Sequence, residues 1–270
     1  MRSGQPIVIA QISDLHCGSQ YHIPSLATRV VDEVNELAPD ALVVTGDLTD
    51  MGFKPEYTVA QRLLSRMQVE RMLVLPGNHD ARNVGDLHFE EAFGARSRDL
   101  AFRGVRIIGI DSSEPDLDNG RVGRERYRWI EECFADPDEF KIVAIHHHLL
   151  PVPGTGRERN IVYDAGDLLR VLNGSGCNMV LCGHKHVPHV WRLEEMVIVN
   201  AGTACTHRLR GMTRASYNII ELSEDRIRVI LKHPFEEPEV VADFERQLAH
   251  ECTWRPRVAP EHTDTEPGCR

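Results

Sequence analysis

A chain of 270 residues, 41% hydrophobic and 27% charged, has a globular composition and enough length to bury a core that holds a rigid site. Its 31 basic against 41 acidic side chains give a formal net charge of −10 without blocks of like charge, which disfavours a basic surface for long nucleic acid. Seven cysteines with no C-x-x-C pair argue against a disulfide framework and for a reducing, cytoplasmic setting, and apolar runs of strand size only argue against a signal peptide or membrane span.

Taken in order, Ile7 to Ile12 reads as a buried first strand that stops at Ser13-Asp14-Leu15-His16. Pro24 opens a helix with Leu26, Val30, Val34 and Leu37 on one face, and Pro39-Asp40 ends it. The strand Ala41 to Val44 runs into Thr45-Gly46-Asp47. A helix near Pro55 to Met67 precedes the strand Met72 to Leu75, which meets Pro76-Gly77-Asn78-His79-Asp80. After a polar loop and a short helix come the strand Val105 to Ile110, a loop from Asp116 to Gly123, and a helix from Arg124 to Phe134. The strand Lys141 to Ile145 then runs into His146-His147-His148. Residues 149–159 form a long Pro/Gly-rich loop of the kind that walls a substrate site. A helix from Asp164 to Leu172 leads to Met179-Val180-Leu181 and then Cys182-Gly183-His184-Lys185-His186. Alternating strands and helices with apolar, non-alternating strands predict sheets covered by helices. From Val190 the pattern changes to four antiparallel strands, ending with Arg226 to Ile230. Residues 239–250 are expected to form a helix with Val240, Val241, Phe244 and Leu248 on a face, followed by a disordered tail.

The unusual polar residues fall at the carboxyl ends of strands, where loops of α/β proteins converge on ligands. Singly, each has a plain structural explanation: Asp14 as a cap, Asp47 and Asn78 as turn residues. Five strand ends carrying carboxylate, amide and imidazole together require that explanation five times over. The mixture of two carboxylates, one amide oxygen and four imidazoles suits Mn, Fe, Co, Ni or Zn better than Mg²⁺ or Ca²⁺, and seven donors suit two ions sharing a carboxylate.

Asp14-Leu15-His16, Gly46-Asp47, Gly77-Asn78-His79-Asp80, His146-His147-His148 and Gly183-His184-Lys185-His186 resemble, in order, the blocks of the calcineurin-like metallophosphoesterase superfamily. Within it the chain looks most like bacterial class III cyclic-nucleotide phosphodiesterases. The resemblance implies a four-layer αββα sandwich of two mixed sheets flanked by helices, with a catalytic domain over residues 1–235 and an extension over 236–270. It implies two divalent or trivalent metal ions (Mn, Fe or Zn; Co or Ni in vitro). Asp14, His16 and His186 hold one, Asn78, His184 and His147 hold the other, and Asp47 bridges them. Leu149 stands where relatives carry the proline that sets the register of the triplet, so His146 and His148 remain alternatives to His147. His79 is then the group that assists the leaving alkoxide, with Asp80 orienting its ring, and Lys185 points to solvent. The implied reaction is hydrolysis of small phosphodiesters, 3′,5′-cyclic nucleotides among them, by water activated between the metals. A phosphomonoesterase or nuclease of the same superfamily is the alternative, and a non-catalytic scaffold a further one. Expected partners are a small phosphate ester and a second copy of the chain, with no membrane. Tyr21, His22, Arg82, Asn83, residues 149–159 and Thr203 to His207 are candidate pocket residues; Cys205 and His207 are not needed as ligands.

Overall fold

The computed structural model describes residues 5–246 except 157 and 211. Strands β1 (Ile7–Ile12), β2 (Ala41–Thr45) and β3 (Met72–Leu75) run parallel, with helix α1 (Pro24–Leu37) and helix α2 (Lys54–Leu64) as crossovers. Both crossovers read correctly because proline sits in the first turn of each helix, where its missing N–H costs nothing. Helix α3 (Gly85–Phe93) then carries the chain to the second sheet. There β4 (Arg98–Phe102) is an antiparallel edge beside β5 (Val105–Ile110). Next come a short 3₁₀ turn (Arg124–Arg126), α4 (Tyr127–Cys133), β6 (Phe140–Ile145), α5 (Ala165–Gly174) and β7 (Met179–Cys182). The hairpin β8 (His189–Leu193) and β9 (Met196–Asn200) closes that sheet, β9 pairing parallel with β7. The chain finally returns to the first sheet as β10 (Tyr217–Leu222), β11 (Arg226–Lys232) and β12 (Glu239–Glu245), all antiparallel.

The result is two mixed six-stranded sheets, ordered β12-β11-β10-β1-β2-β3 and β4-β5-β6-β7-β9-β8. Alternate residues of each central strand face different cores. Ile9, Ala41, Val43 and Leu73 meet Ile107, Ile142, Ala144 and Leu181 between the sheets. Ala10, Leu42 and Val44 face Val30, Val34, Ala60 and Leu64 of α1 and α2. Ile108, Val143 and Val180 face Ile130, Leu168 and Leu172 of α4 and α5. Burial on both faces explains the uninterrupted apolar strands, and the layers run helix, sheet, sheet, helix as expected. No helix among the described residues is long and apolar enough to cross a membrane.

Two departures from the sequence reading concern edges. Residues Glu239–Glu245 are strand β12, not the start of a helix. Their i, i+2 pattern puts Ala242 and Phe244 against the inter-sheet core, and β11 offers an unpaired ladder that satisfies their backbone. The remainder of the expected helix and the tail lie outside the described residues. Strand β4 has no signal in the sequence; Arg98-Asp99-Leu100-Ala101-Phe102 is short and half exposed, as an edge strand can be.

Candidate active site

Every site residue lies just beyond a strand end, on one edge shared by both sheets. Asp14 and His16 follow β1, Asp47 follows β2 and Asn78 and His79 follow β3; His146 to His148 follow β6, and His184 and His186 follow β7. The two edges are tied across the seam: Gln11 Nε2 donates to the Cys182 carbonyl at 3.0 Å, and His146 Nδ1 to that of Thr45 at 2.7 Å. Asp14, His16, Asp47, His184 and His186 all have positive φ, between +43° and +71°. Such backbone is costly for residues with a Cβ, and its concentration here turns five side chains back over the strand ends. The i, i+2 histidines therefore reach the site from left-handed turns rather than from extended chain. Gly77 and Gly183 leave room for this crowding: a Cβ on Gly77 would strike Asp47, and one on Gly183 would strike Ser13 and Asp14.

Two donor sets result. In the first, His16 Nε2 and His186 Nε2 are 3.0 Å apart, His186 Nε2 is 3.1 Å from Asp14 Oδ1, and His16 Nε2 is 3.6 Å from Asp47 Oδ2. In the second, Asn78 Oδ1 lies 3.2 Å from His146 Nε2 and 3.0 Å from His184 Nδ1. His146 Nε2 is 3.3 Å from His184 Nδ1 and 3.4 Å from Asp47 Oδ1. The Asp47 carboxylate thus turns one oxygen to each set.

The chemistry of these sets fits metal ions. Ligands about 2.1 Å from an ion, at right or tetrahedral angles, stand about 3.0–3.4 Å from one another, and all the spacings just given fall in that range except His16 to Asp47 at 3.6 Å. Burial pushes the imidazoles of His16 and His184 well below their usual range, leaving them neutral and able to coordinate. Burial also opposes charge on His146, yet the Asp47 carboxylate beside it raises its pKa to about 9. Against the same burial penalty, His146 and His79 hold the Asp47 carboxyl well below the ordinary range. Oxygens converging on His146 Nε2 mark a position that calls for a cation, whether proton or metal. Outer contacts fix the rings: His146 Nδ1 bonds the Thr45 carbonyl and His186 Nδ1 that of Arg208.

Of the triplet, His146 is the ring whose Nε2 meets Asn78, His184 and Asp47. All three rings are buried, and His147 also has a nitrogen in the cluster with His146 and His184. But His147 Nδ1 pairs with Ser112 Oγ at 2.8 Å and Nε2 with the Asp118 carbonyl at 3.3 Å. His146 is the first residue past β6, and the His147 ring stands 5.0 Å from it and 4.7 Å from the His184 ring. His148 Nε2 pairs with Glu158 at 2.8 Å. Lys185 is buried rather than turned to solvent, its Nζ bonded to the Arg159 carbonyl at 2.7 Å and 3.1 Å from Glu158. That pair ties the 149–159 loop to the turn carrying His184 and His186.

His79 is oriented by a different residue from the one expected. Its Nδ1 lies 2.6 Å from the Asp50 carbonyl and 3.0 Å from Arg82 Nη1, contacts that hold the ring with Nε2 on its other side. Asp80 is a strut. Oδ2 accepts from the Leu48 and Gly77 amides at 3.0 and 2.8 Å, and Oδ1 from the Thr49 amide and hydroxyl at 2.9 and 2.7 Å. Burial and the neighbouring Asp47 charge raise its pKa to about 7. Asp80→Ala leaves four buried donors without an acceptor and is expected to cost about 3–4 kcal/mol in urea unfolding; an unchanged midpoint would contradict the strut.

Sequence reasoning missed Asp50, Asp118 and Arg208. Asp50 Oδ1 lies 3.6 Å from His16 Nδ1 and 3.2 Å from Arg208 Nη1, and Asp118 Oδ1 accepts from Asn78 Nδ2 at 3.2 Å. All three lie on loops where single polar residues carry no pattern. The candidate pocket residue His207 hydrogen-bonds the Tyr21 carbonyl through its backbone, and Cys205 is a buried free thiol.

Residues 7–188 match the calcineurin-like phosphoesterase family. A 3′,5′-cyclic-nucleotide phosphodiesterase of Nostoc sp. is 28% identical over 197 residues, covering 69% of this chain and 74% of that protein. A cAMP/cGMP dual specificity phosphodiesterase of Mycobacterium tuberculosis is 30% identical over 167 residues, 58% of this chain and 52% of that protein. A glycerophosphodiester phosphodiesterase of Enterobacter lignolyticus is 29% identical over 199 residues, 67% and 71% of the two chains. The match thus spans from about half to three quarters of these relatives. Purple acid phosphatase from yellow lupin seeds shares the fold, with a TM-score of 0.71 at 12% identity over 90% of this chain and 54% of that one. With its motifs assembled on one edge and two thirds of its length matched, the chain belongs to the calcineurin-like phosphoesterase family and is a metal-dependent phosphoric ester hydrolase.

Proposed function

We propose that the chain is a dinuclear phosphodiesterase acting on small phosphodiesters, with 3′,5′-cyclic nucleotides among its substrates. One observation carries the two-ion reading: Asp47 Oδ2 faces His16, whereas Oδ1 faces His146, so one carboxylate serves two separate donor sets. Asp14, His16, His186 and Asp47 would hold the first ion; Asn78, His146, His184 and Asp47 would hold the second. Two such ions supply Lewis acidity, which acidifies water and draws charge from phosphate oxygens. The chain's own contribution is orientation and proton transfer. The Asp50 carbonyl accepts from His79 Nδ1 and turns Nε2 toward the site; a proton carried on Nε2 would pass to the leaving-group oxygen, and Nε2 would take one back from solvent water. Diesters are favoured because the three relatives are named for cyclic nucleotides or a glycerophosphodiester. The free thiols fit a reducing cytoplasmic setting.

Metal analysis and a panel of bis(p-nitrophenyl) phosphate, p-nitrophenyl phosphate and cyclic AMP, run with Mn²⁺, Zn²⁺, Fe²⁺ or Mg²⁺, test the proposal. About two ions per chain and faster diester than monoester turnover are expected. Full turnover by chelated protein overturns it.

A further inference from the structure

Two guanidinium groups border the histidines of the site, and each is already paired with a carboxylate of the chain. Arg82 Nη1 lies 3.0 Å from His79 Nδ1, while its Nη2 donates to Asp118 Oδ1 at 2.6 Å. Arg208 Nη1 lies 3.5 Å from His16 Nδ1 and donates to Asp50 Oδ1 at 3.2 Å. The Asp118 carboxylate stays 59% exposed, yet one of its oxygens also accepts from Asn78 Nδ2. It therefore sits immediately behind the amide whose Oδ1 belongs to the second donor set, at the rim beside the leaving-group histidine.

The loop that brings Asp118 there is held from several sides. The Asp118 carbonyl accepts from His147 Nε2, and the Asp116 amide donates to the Ala81 carbonyl at 3.2 Å. Asp116 Oδ1 accepts from the Asn83 amide at 2.9 Å. Gly120 lies so close to the His147 ring that a Cβ there would strike it. A carboxylate fixed this firmly acts on whatever charge enters the site. A phosphodiester carries one negative charge, whereas a phosphomonoester carries nearly two at neutral pH. With Arg82 neutralised by Asp118, the second charge gains no cation and meets an exposed carboxylate within a few ångströms.

We propose that Asp118, by holding Arg82, is the residue that sets a preference for singly charged diesters over doubly charged monoesters. This rests on the dinuclear phosphodiesterase reading and names a specificity determinant for it. The amide oxygen introduced by Asp118→Asn still accepts from Asn78, so the metal-facing amide stays oriented while Arg82 loses the carboxylate that neutralises it and faces the substrate as a net positive charge.

The test compares wild-type protein, Asp118→Asn, Arg82→Met and the double variant, each loaded with Mn²⁺ and checked for equal metal content. Calorimetry measures inorganic phosphate against dimethyl phosphate, and kcat/KM is measured on the nitrophenyl mono- and diester. Asp118→Asn is expected to raise the phosphate-to-dimethyl phosphate affinity ratio, and the monoester-to-diester ratio, by about tenfold. Adding Arg82→Met is expected to return both toward wild type, a reversal that a purely structural role of the loop would not produce. Binding ratios that agree within about twofold across the variants overturn the proposal. The binding ratio needs no turnover, so chelator-resistant hydrolysis by the wild type would count against the dinuclear reading alone.

Discussion

Asp47→Asn is expected to lower kcat by about 10²–10³-fold and to leave the purified chain short of its full metal complement. The substitution keeps size and shape but replaces one carboxylate oxygen by an N–H donor. Either orientation of the amide fails. With nitrogen toward His16, the first donor set loses an anionic oxygen and gains a group that cannot coordinate. With nitrogen toward His146, it meets the second set and also opposes the His79 amide, which donates to Asp47 Oδ1 at 2.9 Å. Plasma emission analysis of metal content and single-turnover kinetics check the two halves of the prediction. A variant that retained both full metal content and wild-type turnover would remove the bridging role.

The second large effect separates neighbours in the histidine triplet. His146→Ala deletes the imidazole whose Nε2 touches both Asn78 and Asp47, so loss of an ion and a fall in kcat of about 10²-fold or more are expected. His147→Ala deletes a ring bonded to Ser112 and the Asp118 carbonyl, leaving a cavity beside Gly120. It is expected to cost about 2–4 kcal/mol of stability and to keep both ions, with a kcat loss at least about tenfold smaller than that of His146→Ala. Metal content together with thermal unfolding distinguishes the pair. Equal metal loss in the two variants would place His147 among the ligands.

Much of this site could be read from the chain because strand ends impose order. Apolar runs buried on both faces stop abruptly, and the residue that follows each stop is Asp14, Asp47, Asn78, His146 or His184, or lies beside it. Register inside the triplet was not legible, since three identical side chains differ only in which way a turn aims them. Lys185 misled for a related reason: alternation predicts an outward residue between two inward ones, but positive φ at His184 and His186 breaks the alternation and buries it. Asp50 acts on His79 through a backbone carbonyl, which every residue has, so no residue type advertises it. In β12, Val240, Val241 and Phe244 suit a helical face as well as a strand, and only the open edge of β11 decides.

The seam between the sheets has a mechanical consequence. Asp14, His16, Asp47 and Asn78 hang from one sheet and His146, His184 and His186 from the other, so each donor set draws on both. An ion that engages either set works as a rivet through two plates, and the sheared geometry cannot keep it. Its binding free energy would therefore be added to the resistance of the sheets to sliding.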